Sequence, residues 1–320
     1  MSPRASRLVL AFALLLALPP ALSSCSVKRW AVRSVANTLT GGVDVYGTDE
    51  DPELVRDALP FGLKTMESLL AVVPEHEGLL LTLCKGFTQY SYAFVQAEGD
   101  LLVNRDYARA TDLHERALKL YLRAHGYGLR GLEKRYRGIS TELQLDPVKA
   151  AAHIQKRALP MLYWTAASWG SAISLGKDRP ELLADLPAIR ALMERGLALD
   201  EGYEDGAIHE ALILLDALPE AMGGSETRAR GHFARAVALS KDTRPSPYVT
   251  LATTVSVLKQ DRKEFETLLN RALEFDPDRD PAQRLVTIVL QRKARALIER
   301  ADEFFVDEAA PPDTTQIQEK

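Results

Sequence analysis

The chain has 320 residues, a formal charge of −4 at pH 7, 46% hydrophobic residues and two cysteines. A mildly acidic balance lacks the basic footprint of a nucleic-acid binder, and two cysteines do not make a disulfide framework. The length allows two average domains but does not require them.

At the N-terminus, Arg4 and Arg7 precede an uncharged apolar run of eleven residues, Leu8 to Leu18. That run is too short to cross a hydrocarbon core of about 30 Å as a helix, and it fits the apolar region of an export signal. Leu22-Ser23-Ser24-Cys25 follows: an aliphatic residue, two small residues and a cysteine. The order resembles the lipobox of bacterial lipoproteins. It implies a signal peptide over residues 1–24, cleavage before Cys25 and acylation of that thiol, with residues 25–42 as a lipidated leash. Acyl chains contribute about 0.8 kcal/mol per buried CH₂, so a doubly acylated chain needs no membrane-spanning helix. Ser26, a residue other than Asp, implies by analogy with enteric lipoproteins the outer rather than the inner membrane. The mature chain is then 296 residues with a charge of −6, because the signal removes two arginines and no acid.

From Asp51 to Phe305 the apolar residues recur at helical spacing, and Val43–Tyr46 is the one short candidate strand. Asp51-Pro52, Asp146-Pro147, Ser246-Pro247 and Asp280-Pro281 each place a capping side chain before a proline. The side-chain oxygen can accept an orphan N–H, and proline has none to satisfy in the first turn. Gly223-Gly224 and Pro311-Pro312 mark breaks, and residues 307–320 read as a disordered tail.

A tripeptide recurs: Arg116-Ala117-Leu118, Arg157-Ala158-Leu159, Arg195-Gly196-Leu197, Arg235-Ala236-Val237 and Arg271-Ala272-Leu273, at spacings of 41, 38, 40 and 36 residues. Such a period in a helical chain predicts a solenoid of helix pairs. Pro247 to Pro277 is the clearest unit, and its Leu269, Ala272 and Pro277 match the last third of a tetratricopeptide repeat. The expected fold is therefore all-α, a solenoid-like array of degenerate tetratricopeptide-like helix pairs over residues 43–306.

Chemistry is sparse. Gly126-Tyr127-Gly128-Leu129-Arg130-Gly131 matches GxGxxG, but a helix rather than a strand precedes it, so it reads as a flexible helix break between repeats. His209-Glu210 begins a zinc motif, yet Ile213 stands where the second histidine belongs. Asp276, Asp278 and Asp280 alternate as in a calcium loop, but Pro281 replaces the required glycine. Cys84 reads as a small buried hydrophobe. No catalytic residue, cofactor or metal is expected. Phe87, Tyr90, Tyr92 and Phe94 span two helical turns, and Trp164 and Trp169 are five apart, so neither cluster faces one packing stripe as a whole, which singles out Phe87, Tyr90, Phe94, Trp164 and Trp169. They are candidate linings of an apolar ligand cleft or protein interface.

Several stretches together resemble a known family. They are Val45-Tyr46 with Asp49–Pro52 and Leu54–Pro60, Gly86–Tyr90 (GFTQY), Tyr121–Leu132 (YLRAHGYGLRGL), Leu162–Gly170 (LYWTAASWG), Asp185–Ala191 (DLPAIRA), and Pro247–Leu251 with Gln260–Phe265. In number and order, over about 260 residues, they resemble the TRAP transporter T-component (TatT) family of periplasmic lipoproteins. The resemblance implies degenerate tetratricopeptide-like repeats and a homotrimer. It implies docking of the substrate-binding P subunit of a tripartite ATP-independent periplasmic transporter, and a cleft or pore suited to an apolar or organic-acid solute. It does not identify ligand residues. Two rival readings are an envelope-assembly scaffold that binds only protein, and an enzyme acting on envelope lipid or glycan.

Overall fold

The computed structural model describes residues 21–42 and 44–306, and the side chains from Val27 onward. The expected signal peptide up to residue 20, the Cys25 side chain, Pro311-Pro312 and the tail from residue 307 lie outside that description.

The described chain is helical, with no strand among its residues. Of the strand expected over Val43–Tyr46, Val43 lies outside the described residues, and the rest is replaced by a turn at residues 45–48, where Gly47 N–H donates to Asp44 Oδ1 at 3.0 Å. A short polar side chain two or three residues before an amide competes well with a lone strand that has no partner to pair with.

The first helix, α1 (Ala21–Gly41), occupies the stretch read as a leash. Val32, Ala36 and Thr40, four residues apart, face the body of the protein. Asn37 Oδ1 meets His76 Nε2 at 2.9 Å, and the packing at Gly78 is close enough that a Cβ there would lie 2.6 Å from Thr40 Oγ1. Its second half is thus a docked helix, not a free tether.

Next, α2 (Pro52–Val72) starts as expected: Asp51 accepts from Glu53 N–H at 3.0 Å and Leu54 N–H at 3.1 Å, with Pro52 in the first turn. α3 (Glu77–Tyr90) runs through a π-helical turn (Ser91–Gln96) into α4 (Ala97–Leu102). α5 (Tyr107–Arg135) is 29 residues long and carries the whole GxGxxG stretch without interruption. The helix break expected there is absent. Gly128 and Gly131 instead lie flush against α8 (Leu159–Leu175). A Cβ on Gly128 would stand 2.3 Å from Thr165 Oγ1, and one on Gly131 would stand 2.3 Å from Met161 Cε. The glycines serve close helix approach, where backbone must meet side chain directly.

α6 (Ile139–Leu145), α7 (Pro147–Ala152, capped by Asp146) and the short α9 (Pro180–Leu183) complete the first half. α10 (Leu186–Leu199), α11 (Ala207–Asp216), α12 (Glu226–Leu239), α13 (Ser246–Leu251), α14 (Arg262–Leu273) and α15 (Arg284–Glu299) follow. α13 continues through a second π-helical turn, Ala252–Ser256. Ser246 does not cap α13; its hydroxyl donates to Glu210 Oε2 at 2.7 Å. Asp280 caps a single 3₁₀ turn ahead of α15.

The middle residues of the recurring tripeptide, Ala117, Ala158, Gly196, Ala236 and Ala272, are all buried. Three of the tripeptides fall within the last five residues of the alternate helices α10, α12 and α14. The one at Arg116 lies within α5, and the one at Arg157 spans a 3₁₀ turn. The recurrence therefore marks a common device, a small residue at a close helix contact, placed differently in different helices.

Two apolar cores form. One gathers residues from Ala36 to Leu215, and the other gathers Ile213 and residues from Ala229 to Ala301. α11 belongs to both. Successive long helices pack on one another, and α15 returns to pack on α2, so the row closes into a circuit.

Candidate ligand cleft and closing seam

A cleft of about 480 Å³ opens between α2, the π-helical turn and α5. Its walls are Arg56, Asp57, Pro60, Tyr90, Phe94, Val95, Glu98 and Arg116. Two local features shape it. Pro60 has no N–H, so the Arg56 carbonyl loses its usual helical donor. The π-helical turn carries Phe94 and Val95, and such turns concentrate at functional sites. Tyr90 and Phe94, with ring centroids 5.8 Å apart, form the apolar wall.

The rest of the lining is charged. Arg56 Nε donates to Asp57 Oδ1 at 3.2 Å, and Glu98 accepts from Arg109 at 2.7 Å. Arg116 lines the same space from α5. The cleft expected to be aromatic-lined is therefore half apolar and half ionic. The sequence marks Arg116 only as the head of a recurring tripeptide and Arg56 and Asp57 only as part of the Leu54–Pro60 stretch, and it gives no sign of Glu98.

The other three aromatic candidates lie elsewhere. Phe87 stacks on Tyr127 at 6.1 Å, with the Arg123 guanidinium 5.1 Å from its ring. Trp169 is buried against His125 at 4.3 Å, and its indole N–H donates to Asp185 at 3.1 Å. Trp164 meets Tyr163 edge-on at 5.1 Å, with Lys85 above its ring. Tyr163 in turn packs on Tyr203 at 5.3 Å. All three pack against other rings, and Trp169 also has its indole N–H satisfied. Cys84 is buried beside Ser168, and burial pushes its thiol up to about 12.

A row of polar contacts joins α15 and its flanks to the early helices. Arg292 forks onto Glu53, Lys293 Nζ lies 3.2 Å from the Tyr92 hydroxyl, and Asn104 donates to Glu303 at 2.7 Å. Arg300 donates to the Asp100 carbonyl at 2.8 Å, Leu285 N–H to the Gly47 carbonyl at 3.1 Å, and Arg284 to the Thr48 carbonyl at 3.2 Å. Along the circuit, Glu210 on α11 accepts from Ser246 and Thr250, and burial raises its carboxyl above the ordinary range.

A second ionic chain crosses α11 and α12. Glu201 meets His209 Nε2 at 3.2 Å, His209 Nδ1 meets His232 Nδ1 at 2.7 Å, and His232 Nε2 lies 3.5 Å from Asp216. Asp216 also accepts from Arg190 and Arg228, each at 2.9 Å. Burial lowers the basicity of both histidines. A hydrogen bond between two imidazoles requires at least one of them to be neutral. The pair lies 23 residues apart, so local spacing gave no sign of it. No group of three or more potential metal ligands forms among the described residues.

The sequence profile of the TRAP transporter T-component family matches residues 48–305, which takes in the cleft, the histidine pair and the closing seam. A curated protein of Treponema pallidum (strain Nichols), described as an uncharacterized protein, is 29% identical over 304 residues. That similarity covers 89% of this chain and 94% of the relative. The chain belongs to the TRAP transporter T-component family.

Proposed function

We propose that the chain is a membrane-anchored periplasmic accessory protein that docks the substrate-binding P subunit of its transporter and hands on an organic-acid solute. The anchor is the acylated Cys25, facing the periplasm from the outer membrane, and the docking body is the array of degenerate tetratricopeptide-like helix pairs, assembled as a homotrimer. Family membership is the observation that carries the reading. The mixed cleft refines it: Tyr90 and Phe94 suit a hydrocarbon portion, while Arg56 and Arg116 suit a carboxylate. A purely apolar solute seated there would take water from Arg116 and give it nothing in return. Energy for transport comes from the ion-driven permease, not from this chain.

The test uses the purified chain and the TRAP solute-binding protein of the same organism. Biolayer interferometry should detect their association, and native mass spectrometry of protein taken from cells should detect the small molecule. An Arg116→Glu variant should lose the solute and keep the P subunit. Absence of both associations sinks the reading. Association with protein partners alone, with no small molecule at any stage, favours the envelope-scaffold reading.

A further inference from the structure

Helix α1 has two unlike halves. Its second half is docked through Val32, Ala36 and Thr40. Its first described turns are not: Val27, Lys28, Arg29, Trp30 and Ala31 are all exposed, although consecutive residues span every side of a helix. Those turns therefore project beyond the body. Trp30 is 72% exposed and Val27 62% exposed. At 100° per residue Val27, Trp30, Ala31 and Ser34 share the outward side, while Lys28 and Arg33 flank it. An exposed tryptophan beside cations fits a membrane–water boundary, where the indole sits at headgroup depth.

The charge distribution agrees. Residues 26–43 carry three positive charges and no acidic residue. The mature chain carries −6, which leaves −9 on everything after residue 43. An anionic surface thus attracts this segment and repels the rest. Position agrees as well. Trp30 lies five residues from Cys25, about 8 Å along a helix at 1.5 Å per residue. The headgroup layer on each side of a bilayer is about 5–8 Å deep.

From these observations we infer that the projecting turns of α1 bind the anionic phospholipid surface directly, with Trp30 and Val27 entering the headgroup layer and Lys28, Arg29 and Arg33 meeting phosphates. The inference rests on the reading of Cys25 as the lipidation site, because that places α1 at the membrane. Surface and acyl chains then act as two attachments. A docked helix on a two-point footing also fixes which face of the helical circuit is presented away from the membrane.

The experiment removes the lipid. The chain beginning at residue 25 with Cys25→Ala is mixed with vesicles of phosphatidylcholine, with or without phosphatidylglycerol, and sedimented. Binding is expected only to the vesicles containing phosphatidylglycerol, and it should fall as salt is raised. Each basic side chain near an anionic surface contributes about fivefold, so Lys28→Gln, Arg29→Gln and Arg33→Gln together should weaken partition by about a hundredfold. Trp30 emission should shift to shorter wavelength on binding, with Trp30→Phe as the blank for the buried Trp164 and Trp169. All four side chains are exposed, and circular dichroism checks that the fold is kept. Equal binding to both vesicle types, or no effect of the triple change, overturns the inference. A change in sedimentation coefficient of the free chain on Trp30→Ser also overturns it, because the face then belongs to a second copy. Lipidation is judged separately, from the mass of the Cys25 peptide of protein taken from cells.

Discussion

Arg292 pairs with both carboxylate oxygens of Glu53, a residue 239 positions earlier in the chain. The pair joins α15 to α2 at the surface, and its neighbours along the seam are likewise polar. Exposed ion pairs contribute little one at a time. As a row they hold a closure that no apolar cluster spans.

Loosening that row should free α15 without unfolding the protein. The combination Arg292→Ala, Lys293→Ala and Arg300→Ala should speed amide hydrogen exchange over residues 284–299 and leave α5 and α8 unchanged. High salt should do the same to the unaltered chain in a weaker form. Unchanged exchange in α15 would mean that its packing on α14, not the seam, sets its stability.

The glycines of α5 give a matched pair. Gly126 has open space where a Cβ would go, so Gly126→Ala should stabilise by about 0.5–1 kcal/mol through the helix-propensity gain alone. Gly128→Ala must displace Thr165, whose Cα lies 3.0 Å from the new Cβ, and should cost about 1–3 kcal/mol. Thermal melts of the two variants should move in opposite directions.

His125 is buried against Trp169 with its Nδ1 unpartnered, and burial pushes its imidazole down to about 4 from 6.5. The unfolded chain therefore takes up a proton at a pH where the folded chain does not. Stability is full above 6.5, falls as pH drops from 6.5 toward 4, and levels off below, for a total of about 3 kcal/mol. His209 and His232 are lowered too and act in the same direction. The melting temperature at pH 4.5 should lie below that at pH 7.5, and His125→Phe should shrink the difference. An equal pH dependence in that variant would remove His125 as a cause.

Cys84 should be inert in the native state. Its thiol is buried with its ionisation pushed up to about 12, and the thiolate is the reactive form. In a Cys25→Ala background, a thiol reagent at pH 8 should label the chain only after denaturant is added.

The helices were legible because their starts carry local chemistry, as at Asp51 and Asp146, and their apolar residues recur at helical spacing. Close contacts were not. GxGxxG in α5 reads as a break because glycine lowers helix propensity, whereas packing against Thr165 and Met161 overrides that preference. Ser246 has the form of a cap, but its hydroxyl is taken by Glu210, 36 residues earlier. The docked side of α1 is spelled by Val32, Ala36 and Thr40, four residues apart, but a lipobox just before it makes the same stretch look like a tether. Half of the cleft was legible as Tyr90 and Phe94. The charged half was not, since solvated arginines and acids on helices look alike until a turn and a proline bring them together.

α11 turns Ile208, Leu212 and Leu215 into one apolar core and Ile213 into the other. A single helix is thus structural property of both halves, and neither half can melt while leaving the other its full set of contacts. The two cores are thereby bound to a shared fate. A fault in α11 propagates to both ends of the molecule, whereas a fault in any other helix falls first on one.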